Sequence, residues 1–261
     1  MGILNITPDS FSDGGRLTSI ESALKLARDM VSAGAQILDI GGESTRPGAI
    51  PVTATDESKR VLPVINALVA EKLPTILSID TAKAEVAQAA LQAGVHIVND
   101  VTALGDQNMG RVIAKANAAV VLMHMRGEPR TMQEGEIIYN DVVADIRTYL
   151  ANAINQAVAA GIKRERIMID PGIGFGKTTQ HNLTLTRHLG EFASLNCPIV
   201  YGPSRKRFLG EITSRPIYDR DRATAAVCAL AIANGAHVLR VHDVNAVADA
   251  VKVAHAVANT T

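Results

Sequence analysis

Residues 32–40 read SAGAQILDI, in which a helix-ending segment with Gly34 leads directly into an apolar run that closes on Asp39. The same order, a glycine followed by an apolar run with a polar end, returns in QAGVHIVND (92–100), AAGIKRERIMID (159–170) and ANGAHVLRV (233–241). Glycine suits the left-handed position at which a helix stops, and the apolar run suits a buried strand. The repetition therefore predicts alternating strands and helices.

Eight such units are predicted along the chain. The predicted strands span 3–5, 36–41, 75–80, 96–100, 119–124, 167–170, 198–202 and 238–242, and the predicted helices span 20–33, 56–71, 82–93, 108–116, 141–160, 181–189, 222–234 and 244–257. Eight units in 261 residues match an α/β protein with a (β/α)8 TIM barrel, taken as one domain over 1–261. The alternative is an open doubly wound sheet, which usually carries a glycine fingerprint after its first strand. Here NITPDS stands at that place.

The composition excludes several classes of protein. Apolar residues make up 47% of the chain, and 26 basic residues balance 26 acidic ones, which leaves no electrostatic footprint for nucleic acid. No apolar run approaches the roughly 18 residues that a membrane span needs. Cys197 and Cys228 stand far apart, which indicates buried reduced thiols and neither a disulfide framework nor a zinc site. We expect a cytoplasmic protein with no membrane or nucleic-acid partner.

Polar residues stand at the carboxyl ends of the predicted strands. They are Asn5, Asp39, Asp80, Asn99, Asp100, His124, Asp170, Arg240 and His242. Taken singly, an Asp or Asn in such a place often caps the next helix. Because all strand ends of a barrel meet at one mouth, the whole set predicts a polar pocket there.

The segment DPGIGFGKT, residues 170–178, is rich in glycine like a phosphate-binding loop, but it does not match the motifs of such loops. A Walker loop needs a glycine five positions before its Gly-Lys pair, where Pro171 stands, and the glycines at 172, 174 and 176 do not fit the dinucleotide fingerprint. The segment instead predicts a flexible loop that projects Asp170 into the pocket, with Phe175 as an aromatic wall.

Three further features predict the binding of charged groups. PSRKRF, residues 203–208, places Ser204 and three cations at the start of a helix-like segment, where a carboxylate or phosphate would fit. Arg240 and His242 alternate along the last strand and would clamp one anion together. The carboxamide oxygen of Asn5 suits a hard cation such as Mg²⁺, which usually needs few protein ligands besides substrate phosphates.

Together these residues resemble the dihydropteroate synthases, with motifs in the family's order along the whole chain. The motifs are GILNITPDSFSDGG (2–15), DIGGESTRPGA (39–49), SIDT (78–81), NDV (99–101), VLMH (121–124), DPGIGFGK (170–177), SRK (204–206) and RVHDV (240–244). The resemblance implies a TIM barrel, usually dimeric, that condenses 6-hydroxymethyl-7,8-dihydropterin diphosphate with 4-aminobenzoate and that sulfonamides inhibit. Pro203 departs from the family's pattern, in which a small or polar residue precedes SRK.

The resemblance also implies roles for individual residues. Asp80, Asn99, Asp170, Lys206, Met123 and Phe175 would hold the pterin. Asn5, Arg240 and His242 would hold diphosphate, with Mg²⁺ on Asn5, and Asn5, Lys206, Arg240 and His242 would be catalytic. Phe11, Thr45, Arg46, Pro47, Ser204, Lys206 and Arg207 would shape the aminobenzoate site.

Two other functions share the barrel. A methyltransferase domain that takes a methyl group from methyltetrahydrofolate would keep the Asp-Asn pterin pocket, but it has no use for a diphosphate site. A non-catalytic pterin-binding barrel would be expected to lose some of the polar residues at the mouth, whereas all of those expected are present.

Overall fold

The computed structural model describes residues 1–6, 16–44, 51–127 and 131–260. Within them eight parallel strands alternate with helices. The strands are Gly2–Asn5 (β1), Ile37–Gly41 (β2), Ile76–Asp80 (β3), Ile97–Asp100 (β4), Ala119–Met123 (β5), Ile167–Asp170 (β6), Val200–Tyr201 (β7) and Val238–Leu239 (β8). The helices are Arg16–Ser32 (α1), Ala54–Glu71 (α2), Ala84–Gln92 (α3), Met109–Ala116 (α4), Val142–Ala159 (α5), Thr179–Arg187 (α6), Arg207–Thr213 (α7), Asp221–Ala233 (α8) and Val244–Ala258 (α9).

The strands close into a barrel. β1 to β6 pair in sequence order in one parallel sheet, and β7 pairs with β8. A bridge between Ile169 and Ile199 joins β6 to β7, and a bridge between Gly2 and Val241 joins β8 back to β1. This ring of eight strands confirms the predicted (β/α)8 fold and excludes the open sheet.

The last two strands are shorter than the sequence predicts. β7 ends at Tyr201, before the predicted end at Gly202, and β8 ends at Leu239. Pro203 follows Gly202 and has no amide hydrogen with which to extend the ladder, which accounts for the early end of β7. Beyond β8, the Arg240 amide still donates to the Tyr201 carbonyl at 3.0 Å.

Strand alternation separates two layers of side chains. One face of each strand carries the apolar residues that pack against the helices, among them Leu38, Ile40, Ile79, Val98, Val120, Leu122 and Ile169. The other face lines the barrel. A second apolar cluster belongs to that inner face and combines Ile97, Val121 and Val200 with Ile37, Met168 and Val238. Because successive side chains of a strand point to opposite faces, the polar strand-end residues lie above this inner layer, at the mouth.

Glycine ends helices where the repeat predicts. Gly34 and Gly94 follow α1 and α3 with φ of 103° and 111°, a conformation that side chains with a Cβ rarely adopt. Each amide donates back to the preceding helix, and the chain then enters β2 or β4. None of the described helices is long and apolar enough to cross a membrane.

Candidate active site

Asp39 is the centre of a hydrogen-bonded network at the barrel mouth. Its side chain is fully buried and accepts from Ser78 Oγ at 2.6 Å, Asn99 Nδ2 at 3.0 Å and Arg240 Nε at 2.6 Å. Arg240 Nη2 also donates to Asp80 Oδ2 at 2.5 Å. Strands β2, β3 and β4 and the residue directly after β8 thus bring together three predicted site residues, Asp80, Asn99 and Arg240.

The charges in this network are tightly coupled. Burial raises the pKa of Asp80 to about 7, with Arg240 opposing the rise and Asp39 adding to it. Burial disfavours the Arg240 guanidinium, but the Asp39 and Asp80 carboxylates outweigh that effect and raise the pKa of Arg240. Arg240 therefore stays charged, and it is the main compensation for two buried carboxylates.

Asp170 lies on the opposite side of the mouth, at the end of β6. Its Oδ1 accepts from the Gly172 amide at 2.7 Å. Burial raises the pKa of Asp170, and this backbone hydrogen bond opposes the rise. The turn requires glycine, since Gly172 has φ of 70° and a Cβ there would lie 1.8 Å from the His124 carbonyl oxygen. The local chain therefore aims a buried carboxylate into the pocket.

An aromatic and sulfur-bearing wall stands next to Asp170. Met123 and Phe175 are buried in one cluster with Val101 and Met132. Lys206 Nζ lies 3.8 Å from the centroid of the Phe175 ring, within the range of a cation–π contact. The structure thus places Lys206, Phe175 and Met123 around the same pocket edge, as the predicted pterin site requires.

The basic segment 203–208 carries three neighbouring cations. Arg205 forms a two-point pair with Asp221 at 2.8 and 2.7 Å, and the side chain of Arg207 is 68% exposed, with its Nε 3.1 Å from Glu211. Only Lys206 is directed toward the Phe175 ring. The three cations of this segment thus have different partners in the structure, and their binding of a carboxylate or phosphate stays a prediction.

Asn5 and His242 lie on the β1 and β8 side of the mouth. Both line a cavity of about 410 Å³ together with Arg205, and the other walls of this cavity come mainly from α1 and the start of α9. Ser204 Oγ lies 2.9 Å from His242 Nδ1 and accepts from the His242 amide at 3.1 Å. Arg240 and His242 thus have different protein partners in this structure, and their joint contact with an anion stays a prediction.

Four predicted aminobenzoate residues, Phe11, Thr45, Arg46 and Pro47, lie outside the described residues. The positions on either side of 45–50 are held together, because the Val52 amide donates to Glu43 Oε1 at 2.8 Å. Lys83 Nζ in turn donates to Glu43 at 2.5 Å and to the fully buried Glu57 at 2.6 Å.

Ser78 and Lys177 have clear roles in this geometry that the sequence did not predict, and Asp39 was predicted only as one of the polar strand ends. Asp39 and Ser78 alternate with apolar residues in ILDI and LSID, which is the available signal that they face the barrel interior. Lys177 follows the glycine-rich loop and is 2% exposed. Because residues 170–178 do not match a Walker motif, the sequence predicts no role for Lys177, and no local pattern marks its side chain as buried.

Comparison with known proteins agrees with this geometry. The family described as pterin binding enzyme matches residues 1–242. A dihydropteroate synthase from Synechocystis sp. is 47% identical over 258 residues, covering 98% of this chain and 89% of the relative. The chain belongs to the dihydropteroate synthase family. As a member of that family it is a transferase of folate synthesis, and the mouth of the barrel is its candidate active site.

Solved dihydropteroate synthase structures have the same fold. The Yersinia pestis protein in complex with a sulfonamide drug is 42% identical with a TM-score of 0.94, over 100% of this chain and 94% of that one. The Xanthomonas albilineans protein with 4-aminobenzoic acid is 45% identical with a TM-score of 0.93, over 100% and 93%.

Proposed function

We propose that this transferase condenses 6-hydroxymethyl-7,8-dihydropterin diphosphate with 4-aminobenzoate to give 7,8-dihydropteroate and diphosphate. The observation that carries the proposal is the set of polar groups at the mouth, the buried Asn99 and Asp170 and the partly buried Asp80, beside the Phe175 and Lys206 wall. The sulfonamide and 4-aminobenzoic acid complexes of the two relatives support the second substrate.

Pterin recognition is assigned first to Asp170. The amino-pyrimidinone edge of a pterin presents adjacent N–H donors, and a buried carboxylate accepts two of them at once. Lys206 would donate to the acceptor side of the ring, and Asp80 and Asn99 would complete the edge contacts. The Gly172 amide already holds one carboxylate oxygen of Asp170, which fixes the orientation of the acceptor.

Diphosphate departure is assigned to Arg240, His242 and Asn5. The contacts of Arg240 with Asp39 and Asp80 use two of the five N–H donors of its guanidinium, and the others can meet phosphate oxygens. The same carboxylates hold the guanidinium in place, so little reorganisation is needed when charge develops on the leaving group.

The carboxamide oxygen of Asn5 fits a magnesium ion whose other ligands would be mainly substrate phosphate oxygens and water. Within 1–6, 16–44, 51–127 and 131–260, no group of three or more His, Cys, Asp or Glu could hold a metal. Mg²⁺ usually keeps several waters and takes few protein oxygens besides phosphates, so one carboxamide suffices. Bound there, it would neutralise part of the negative charge on diphosphate.

We propose a dissociative substitution. The bond between the methylene carbon and the bridging oxygen breaks, and its electron pair leaves with diphosphate. The electron-rich pterin ring delocalises the resulting cation. The amine nitrogen of 4-aminobenzoate then forms the new C–N bond and releases a proton. Because the aromatic amine is weakly basic, no strong general base is required of the protein.

The reaction itself is the first test. With both substrates and magnesium, the purified protein is expected to release dihydropteroate and diphosphate in equal amounts, and a chelator is expected to stop both. A sulfonamide should raise the KM for 4-aminobenzoate without lowering kcat. Both products are measured in one time course. Pterin binding without either product would contradict the proposal.

Asn5→Ala tests the assignment of the leaving-group site. We expect kcat to fall by about 100-fold, as for other lost contacts to developing charge, with pterin affinity within about twofold of wild type. Asn152→Ala, on the exposed side of α5, is the matched control and should leave both quantities unchanged. Lost pterin affinity with intact turnover would show that Asn5 belongs to the pterin site instead.

A homodimer, a single domain over 1–261 and a cytoplasmic location complete the proposal. The dimer rests on the family resemblance, the single domain on the unbroken alternation of strands and helices, and the location on the composition. Equilibrium sedimentation of the purified chain would check the dimer directly.

A further inference from the structure

Lys177 is a buried ammonium group with no part in the chemistry proposed above. It stands at the end of the glycine-rich loop that joins β6 to α6, and it is 2% exposed. Its Nζ donates to the Gly172 carbonyl at 2.8 Å and to the Phe175 carbonyl at 3.0 Å. The third close partner is His124 Nδ1, at 3.0 Å, just beyond the end of β5.

These contacts match the donors of an ammonium group. Three N–H bonds meet three acceptors within 3.0 Å, so the charged form of Lys177 is fully hydrogen-bonded. Burial and the Lys177 charge lower the pKa of His124 to about 3, which keeps the ring neutral with Nδ1 able to accept. Burial lowers the pKa of Lys177 itself to about 7, and Asp170 opposes that change.

Through these contacts Lys177 holds the glycine-rich loop at two of its backbone carbonyls, those of Gly172 and Phe175. Gly172 also donates to Asp170, and Phe175 carries the ring beneath the Lys206 ammonium. Without Lys177, the buried Phe175 carbonyl would lose its donor, and the Gly172 carbonyl would keep only the Phe175 amide, at 3.1 Å. A loop conformation in which these carbonyls turn toward water would then have the lower free energy. That change would shift the hydrogen bond between Gly172 and Asp170 and would move the Phe175 ring.

We propose that Lys177 is a positioning residue, which acts through the carbonyls of Gly172 and Phe175 to set the wall that Phe175 and Lys206 form in the pterin site. This inference rests on the proposed function for its ligand. Lys177 does not touch the pterin, because its three donors are used by two loop carbonyls and by His124, and its side chain is buried.

The test is a double-variant cycle on pterin affinity, with 6-hydroxymethylpterin as the probe. Lys177→Met is expected to weaken binding by about tenfold or more, the cost of leaving the buried Phe175 carbonyl unpaired and of weakening the hydrogen bonding of Gly172. Phe175→Ala alone should also weaken binding. In the double variant the second change should add less than about twofold, because both act on the same wall.

A kinetic readout separates positioning from a general loss of stability. Lys177→Met should raise the KM for the pterin substrate by the same factor as the dissociation constant and change kcat by less than about threefold. Lys163→Met is the matched control, since Lys163 is exposed ahead of β6, at the opposite end of that strand from the mouth. It should bind the probe as wild type does.

Two results would overturn the inference: wild-type affinity in Lys177→Met, or losses from Lys177→Met and Phe175→Ala that multiply in full. If Lys177→Met does not fold, Lys177→Gln is measured in the same cycle, and a loss of affinity that multiplies in full with that of Phe175→Ala would overturn the inference. Failure of the unmodified protein to bind the pterin probe would instead overturn the proposed function, and this inference with it.

Discussion

Asp170→Asn is expected to lower kcat/KM for the pterin substrate by about 10⁴-fold, the discrimination typical of a site built around buried hydrogen bonds. An amide offers one acceptor and one donor where the carboxylate offers two acceptors. The Gly172 amide already uses Oδ1 in part, so the asparagine oxygen would stay with Gly172. Its NH2 group would then face a pterin N–H donor, which leaves two donors opposed in a buried place.

The same substitution should not destabilise the fold. Because burial raises the pKa of Asp170 above its unfolded value, ionisation of the folded protein costs stability as pH rises. A neutral asparagine removes that cost, so the free energy of unfolding at neutral pH is expected to be equal to or above wild type. Stability and activity then change independently, as is common where a functional site is strained.

The measurement combines pterin titration, steady-state kinetics and denaturant unfolding at pH 7. Asp249→Asn is the matched control, because Asp249 has a side chain that is 95% exposed on α9. It should leave all three quantities unchanged. Retained pterin affinity in Asp170→Asn would remove Asp170 from the recognition edge, and a large loss of stability would mean that the activity loss reports unfolding.

The barrel could be predicted because its signal is local. SAGAQILDI, QAGVHIVND and ANGAHVLRV each carry a helix end and a strand start within nine residues, and β2, β4 and β8 follow directly. The polar strand ends also follow from local position, since closure of the sheet brings them to one mouth. Asp80, Asn99, Asp170 and Arg240 therefore converge as the sequence predicts.

The partners of those residues could not be predicted, because they depend on side-chain direction between distant strands. Asp39 and Arg240 are 201 residues apart, and nothing near Asp39 marks it as the shared acceptor of three side chains. Lys177 donates hydrogen bonds to two backbone carbonyls. Because every residue has a backbone carbonyl, the sequence does not mark these acceptors. The run of cations at 205–207 likewise does not show that Arg205 pairs with Asp221, 16 residues away.

Arg240→Met is expected to lower the free energy of unfolding by about 3–5 kcal/mol at pH 8, the usual cost of breaking a buried ion pair from one side. It would leave the Asp39 and Asp80 carboxylates without their cation. Arg215→Met is the matched control, because the Arg215 pair with Asp219 is more than half exposed on both sides, and such pairs contribute about 0–1 kcal/mol.

The loss should depend on pH in a definite direction. Burial raises the pKa of Asp80 from 3.8 to about 7 even with Arg240 present, so stability due to this group is lost as pH rises between those values. Without Arg240 the folded pKa of Asp80 rises further. The part of the stability difference between wild type and Arg240→Met that comes from Asp80 should therefore stay small up to about pH 6 and widen as the pH rises through 7 to 8.

Asp39→Asn supplies the decisive second variant. In the Arg240→Met background it removes one uncompensated charge, so part of the lost stability should return at pH 8, while turnover stays absent because the diphosphate contact is still missing. Urea unfolding at pH 4.5, 6 and 8 measures all four proteins of the cycle. Equal losses at every pH, or no recovery in the double variant, would show that Arg240 stabilises the barrel by packing and not as the counter-charge of Asp39 and Asp80.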